Sequence, residues 1–380
     1  MKKSILFMFF SYCIMSLNSQ NLRPNTSGSF TYKPTGTLSS KTIEVFYHIP
    51  NGDIKKMPIL MSFHGVNRNA ADYRDYWVSM ANNNKFMVFA PQFSEEDFST
   101  GDAYNLANIF TDGDNPSSSS FNAKEEWTFS VLDPLFEQIK LAVSGTQEKY
   151  NGWGHSAGAQ FLQRFVLYLP NSKLDIAVCS NAGWYTVPDF SVDFPYGLKK
   201  SQLPNSDLKL ALSKKLIIHL GTADIDQNSP GLRHNSVVDS QQGENRLVRG
   251  RYFFTESKST AQSLNTSFNW EKEEVSGVAH EAQKMANDAL QHVLKSTLSL
   301  DKQIKNAQIT LYPNPVKNVL VFDNSKVKSR NAALYSVTGK KVSFFLFDRF
   351  DTNQEIDVSK LASGIYFLKV GIKMIRVVKE

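Results

Sequence analysis

Gly154-His155-Ser156-Ala157-Gly158 is the stretch on which the reading of this chain turns. The pattern G-x-S-x-G marks a sharp strand-to-helix turn that lifts a serine hydroxyl above the end of a parallel sheet. Its glycines have a steric reason: a Cβ two positions to either side of the serine collides with the neighbouring strand or helix. The next segment reads as a helix, Ala157 to Leu169, apolar at i, i+1, i+4, i+5 and i+8 until Pro170 stops it. The segment before the turn, Lys149-Tyr150-Asn151-Gly152-Trp153, is a polar strand, since asparagine and glycine are uncommon in a buried central strand. An inert serine in a glycine-rich turn carries the same five residues, so the rest of the chain has to supply the chemistry.

A serine is a feeble nucleophile without a base and an acid that orients the base. In sheets of this type the acid and then the histidine come after the serine, each at the end of a later strand. Lys215 to Leu220 reads as a short buried strand that runs into Gly221-Thr222-Ala223-Asp224, which puts Asp224 at its carboxyl end. Ser267 to Val275 alternates like a strand near the sheet edge and empties into Ser276-Gly277-Val278-Ala279-His280, after which a helix runs from Glu281 to about Leu298. Asp226 competes with Asp224, and His234, in a polar loop, competes with His280. His48, His219 and His292 read as structural. Two backbone N–H groups are needed for the developing oxyanion. Ala157 supplies one, and Val66 is the candidate for the other, in His64-Gly65-Val66-Asn67 after the strand Pro58 to Phe63.

These segments, with Phe89-Ala90-Pro91-Gln92, resemble secreted α/β-hydrolases of the polyhydroxybutyrate depolymerase and feruloyl-esterase-like group over residues 40–298. The resemblance implies a mostly parallel sheet flanked by helices and hydrolysis of carboxylic esters through an acyl-enzyme. It gives Ser156, Asp224 and His280 the roles of nucleophile, orienting acid and general base. No cofactor or metal is implied, and Asp112-Gly113-Asp114 lacks the glycine and terminal glutamate of a calcium loop. Two other classes stay open: a peptidase with the same triad, and a non-catalytic binding protein on this fold. Trp184 and Tyr185, where ligands bind in open α/β sheets, are candidates for the substrate pocket or for packing under a loop. Residues 93–127 read as a long polar insertion too irregular for core.

Beyond residue 305 the character changes. Short strands alternate with Asn-Pro, Thr-Gly and Ser-Gly turns, the pattern of a small β-sandwich. Tyr312-Pro313-Asn314-Pro315, Thr338-Gly339-Lys340 and Ser363-Gly364-Ile365-Tyr366 lie within a stretch that resembles the C-terminal sorting domain of type IX secretion. That resemblance implies the secretion machinery as a partner and passage across both membranes of a Gram-negative envelope. At the other end, Lys2 and Lys3 precede an apolar run to Leu17, a signal peptide with cleavage expected near Ser19–Gln20. The expected organisation is therefore a leader over 1–19, a catalytic α/β domain over 20–305 and an all-β sorting domain over 306–380.

Charge fits this division. The net charge of +6 is carried by the ends: residues 306–380 hold 12 basic and 6 acidic residues and the leader 2 lysines, leaving 28 basic against 30 acidic in the body. A near-neutral body without a basic cluster argues against nucleic acid. No second apolar run reaches transmembrane length. After leader removal one cysteine remains, Cys179, so no intramolecular disulfide is possible, and it reads as a small core residue.

Overall fold

A computed structural model describes residues 22–306, 311–323, 331–338, 340–347, 353–370 and 373–380. The expected leader, with Cys13 and the cleavage position, lies outside them. The chain divides into two compact units, Met1–Val293 and Leu294–Glu380.

The first unit is built on an eight-stranded sheet: β1 (Thr26–Tyr32), β2 (Ile43–Ile49), β3 (Ile59–Phe63), β4 (Met87–Gln92), β5 (Tyr150–His155), β6 (Leu174–Ser180), β7 (Lys215–Gly221) and β8 (Trp270–Val275). Their order across the sheet is β1-β2-β4-β3-β5-β6-β7-β8. β1 with β2 and β2 with β4 are antiparallel, and every later pairing is parallel. The helices are α1 (Ala70–Asp75), α2 (Val78–Asn84), α3 (Thr100–Ala103), α4 (Leu132–Ala142), α5 (Ala157–Tyr168), α6 (Asn205–Ser213), α7 (Ser236–Gln242), α8 (Arg246–Ser263) and α9 (Ala282–Asn306).

β5 shows how the layers form. Side chains of a strand alternate between faces. Asn151 and Trp153 point to one face, where Asn151 donates to the carbonyl of Val293 in α9 (3.0 Å) and Trp153 packs edge-on against Trp77. Gly152 and Gly154 point to the other, where a Cβ on Gly152 would press on Leu162 of α5 at 3.0 Å. Helices thus cover both faces. The polar asparagine is tolerated in a central strand because its amide is satisfied, and glycine is needed because α5 lies so close.

Residues 93–127 differ from the sequence expectation of a polar excursion. Phe93, Phe98, Tyr104, Leu106, Ile109, Phe110 and Trp127 are buried in the main core. Phe93 and Tyr104 stack on each other and both pack on Phe161, with ring centroids 5.1–5.4 Å apart, and Phe110 packs on Phe194 at 4.8 Å. Polar residues such as Asp112 to Ser120 dominate the composition, whereas the widely spaced aromatics between them dominate the burial.

The second unit carries β9 (Leu311–Tyr312), β10 (Val319–Asp323), β11 (Asn331–Ser336), β12 (Lys341–Leu346), β13 (Asn353–Asp357), β14 (Gly364–Val370) and β15 (Lys373–Lys379). They form two antiparallel sheets, β13-β10-β9 and β12-β11-β14-β15. Leu320, Phe322 and Ile356 of the first sheet share one core with Leu334, Leu368 and Val370 of the second, the arrangement of a small β-sandwich. Among the described residues no helix is long and apolar enough to cross a membrane.

Candidate active site

Ser156 stands between β5 and α5 with φ 58° and ψ −118°, a conformation that residues other than glycine avoid. The glycines beside it are required by close approach. A Cβ on Gly154 would run into the Gly158 carbonyl and come within 2.9 Å of the Ala159 nitrogen. A Cβ on Gly158 would run into the Phe63 carbonyl at the end of β3 and lie 2.7 Å from that of His64. Helix α5 therefore packs backbone against backbone, which holds the serine in its strained turn.

Asp224 follows the end of β7 and is 3% exposed. His280 lies between β8 and α9, and its Nδ1 donates to Asp224 Oδ2 at 2.8 Å, leaving Nε2 free of that bond. Asp226 instead accepts from the Asn228 N–H in its own turn (2.9 Å) and is exposed. His234 has both ring nitrogens engaged, by Asp239 (3.0 Å) and by the Gln227 carbonyl (2.8 Å). His48 bridges Ser27 and Asn82. His219 sits between Ser180 (2.8 Å) and Asp288 (2.9 Å), and His292 is buried close to them. Trp153 donates to Ser180 Oγ at 2.9 Å.

The loops that bear Asp224 and His280 are laced together. The Ala223 N–H donates to the Val278 carbonyl (2.9 Å). Asn181, just past β6 with φ 50°, accepts from the Gly221 N–H (2.7 Å) and donates to the Ala279 carbonyl (2.9 Å). Sequence reading assigns Asn181 no part here, because its two partners lie 40 and 98 residues away.

Arg246, at the first turn of α8, is a second residue with no sequence signal. Its Nη1 lies 3.4 Å from Asp224 Oδ1 and donates to Ser229 Oγ at 2.7 Å. Both Arg246 and Asp224 are buried. Burial pulls the guanidinium's pKa down and Asp224 opposes it; an arginine so placed remains a cation near neutral pH. His155 completes the surroundings, its ring 4.4 Å from that of His280. Burial first, then the charges of His280 and Arg246, hold its pKa well below the usual imidazole range, so it is neutral. Tyr73 reaches His155 Nδ1 at 3.3 Å.

The loop after β3 is fixed by His64. Its Nδ1 donates to the Gly65 carbonyl (2.9 Å) and its Nε2 accepts from the Phe93 N–H (3.0 Å). The Gly65 carbonyl and the Val66 N–H belong to one planar trans peptide and point opposite ways, so anchoring the first aims the second. Burial above all drives the His64 pKa down to about 3, so its ring stays neutral and keeps this tautomer. Tyr104 donates to the His64 carbonyl at 2.6 Å. The Ala157 N–H is one of the first four of α5, which have no partner inside the helix.

Trp184 and Tyr185 do not offer faces to solvent. Tyr185 is fully buried, stacked on Phe253 at 4.5 Å, with its backbone N–H and carbonyl both bonded to Gln242. Trp184 is 3% exposed, its ring flanked by the guanidinium groups of Arg164 at 4.2 Å and Arg233 at 4.8 Å. The placement favours packing beneath the loops over lining a pocket. The aromatic pair lies at a strand's carboxyl end as expected, but nothing in its spacing tells which way the rings turn.

Comparison with known proteins agrees with both units. Residues 310–380 match the family described as a secretion system C-terminal sorting domain, so the chain ends in a type IX sorting domain. No curated protein sequence matches the chain. Among solved structures it is similar to poly(3-hydroxybutyrate) depolymerase from Bordetella parapertussis, at 28% identity and TM-score 0.65, over 73% of this chain and 90% of that one. It is also similar to poly(aspartic acid) hydrolase-1 from Sphingomonas sp. KT-1, at 35% identity and TM-score 0.67, over 72% of this chain and 99% of that one. With an α/β-hydrolase sheet and that identity across nearly the whole Sphingomonas protein, the chain belongs to the same family as poly(aspartic acid) hydrolase-1.

Proposed function

We propose that this is an exported serine hydrolase that cleaves carboxylic esters through an acyl-enzyme. The observation that carries the reading is the strained Ser156 at the head of α5 combined with the 2.8 Å bond between His280 Nδ1 and a buried Asp224. Ser156 Oγ attacks the ester carbonyl while His280 Nε2 takes its proton, and Asp224 keeps that nitrogen facing the serine. The N–H groups of Val66 and Ala157 receive the developing oxyanion. The imidazolium returns the proton to the departing alcohol, leaving the acyl group on Ser156, and water repeats the sequence in reverse. In this reading residues 20–305 form the catalytic domain behind a cleaved leader. Residues 306–380 direct passage across both membranes to the surface or medium.

One finding favours a second reading. Poly(aspartic acid) is a polyamide, so the name of the Sphingomonas relative points to amide cleavage. An amine is the poorer leaving group and demands stronger protonation by His280. Measuring kcat/KM on matched ester and amide series, with wild type and Ser156→Ala, separates the two. Esters are expected to dominate, with both activities lost in the variant; amide turnover exceeding ester turnover would replace the esterase reading.

A further inference from the structure

We propose that Arg246 is a positioning residue of the catalytic triad, holding Asp224 from the side opposite His280 and moderating its charge. The inference rests on the triad reading above. The two oxygens of Asp224 are divided: Oδ2 accepts from His280 and Oδ1 faces Arg246 Nη1 at 3.4 Å. The guanidinium is itself anchored by Ser229 Oγ at 2.7 Å. The chain also ties the two residues through the backbone, the Leu247 N–H donating to the Asp224 carbonyl at 3.4 Å. With Asp224 buried, a rotation of its carboxylate would break both side-chain contacts at once.

The charge matters as much as the geometry. A carboxylate stabilises the imidazolium that forms during catalysis, and a cation beside that carboxylate weakens the effect. The groups around the Asp224–His280 pair are Asp226 after β7, Arg246 on α8 and His155 on β5, with Glu281 and Lys284 paired to each other just past His280. His155 is neutral, and the buried Tyr73 and Tyr185 hydroxyls are also uncharged, their pKa values raised by desolvation. Among the described residues, Arg246 is therefore the buried cation that faces Asp224. Removing its charge leaves Asp224 to hold the protonated histidine more strongly. The histidine then becomes available as a base only at higher pH.

The test is the pH profile of kcat/KM on an acyl ester, whose acid limb reports the free enzyme's base. Arg246→Gln is expected to move that limb upward by about 0.5–1 pH unit and to lower kcat about tenfold. Arg246→Lys is expected to keep the limb near its wild-type position while recovering part of kcat. Arg251→Gln, which removes an exposed charge on the same helix, is expected to leave it in place. An unmoved limb in Arg246→Gln, an equal shift in Arg246→Lys, or an equal shift in Arg251→Gln overturns the proposal, since a merely structural role lowers kcat without moving the limb. Should the Gln variant not fold, Ser229→Ala carries the test, with a smaller upward shift expected and an unmoved limb overturning it. Turnover that survives Ser156→Ala removes the triad and the arginine's role together. Ser156-dependent turnover with an unmoved limb removes only the arginine's.

Discussion

Ser156, Asp224 and His280 act as a unit in this account, so each single loss is expected to cost most of the catalysis. Ser156→Ala and His280→Ala should each lower kcat by about 10⁴ or more, measured on a chromogenic acetyl ester. Trp184 answers to a different rule. With Arg164 and Arg233 against its faces, Trp184→Ala should cost about 3 kcal/mol of stability and reduce all substrates alike. Melting curves and kcat/KM for small and aromatic esters check this; a selective loss on aromatic esters would return Trp184 to the pocket. The three proposed triad residues are legible because each comes at a recognisable strand end, where turn chemistry shows in the sequence. Arg246 and Asn181 are not legible, since their roles exist only through partners far away in the chain. His64 stands out by position, but the tautomer that aims the Val66 N–H depends on Phe93, 29 residues further on.

At the scale of elements, the contact between β3 and α5 sets the position of Ser156. Gly158→Ala places a methyl group against the carbonyls of Phe63 and His64, so α5 must move away from the sheet. A loss of about 3 kcal/mol is expected, with kcat falling further than stability alone accounts for. Denaturant unfolding together with kcat of the folded fraction measures both. Strand and helix order can be read because hydrophobic period and turn residues are local. The polarity of β5 looks wrong for a central strand until Asn151 is matched with α9 and Gly152 with Leu162. Residues 93–127 mislead for the opposite reason: their composition is polar, and their aromatic residues fit no helical or strand period.

For the whole molecule, pH dependence and separability are the two measurable properties. His64 and His155 are held neutral by burial. The unfolded chain takes up protons at these positions near pH 6.5, whereas the folded chain does not until far lower. Stability is therefore intact above about pH 6.5 and falls as the pH drops toward 5, by up to about 2 kcal/mol for each histidine. Half-buried Asp102 and Asp133, raised by desolvation, pull the other way nearer the carboxylate range. Unfolding free energies at pH 7 and pH 5 check the sign, and His64→Asn should flatten the slope. As for separability, truncation after Lys305 retains the eight-stranded sheet and nearly all of α9, so specific activity should change little while export is lost. A collapse of folding or turnover would tie the sorting domain to the catalytic unit.

The claim at the centre is that Ser156 becomes acylated. Intact-mass and peptide-level mass spectrometry of the enzyme quenched during turnover of a slowly deacylating ester reads this directly. The expected result is a single acyl adduct on the peptide that contains Ser156, formed in a burst and lost on deacylation, and missing from Ser156→Ala. An adduct on another residue, or steady ester turnover by Ser156→Ala, would contradict the account.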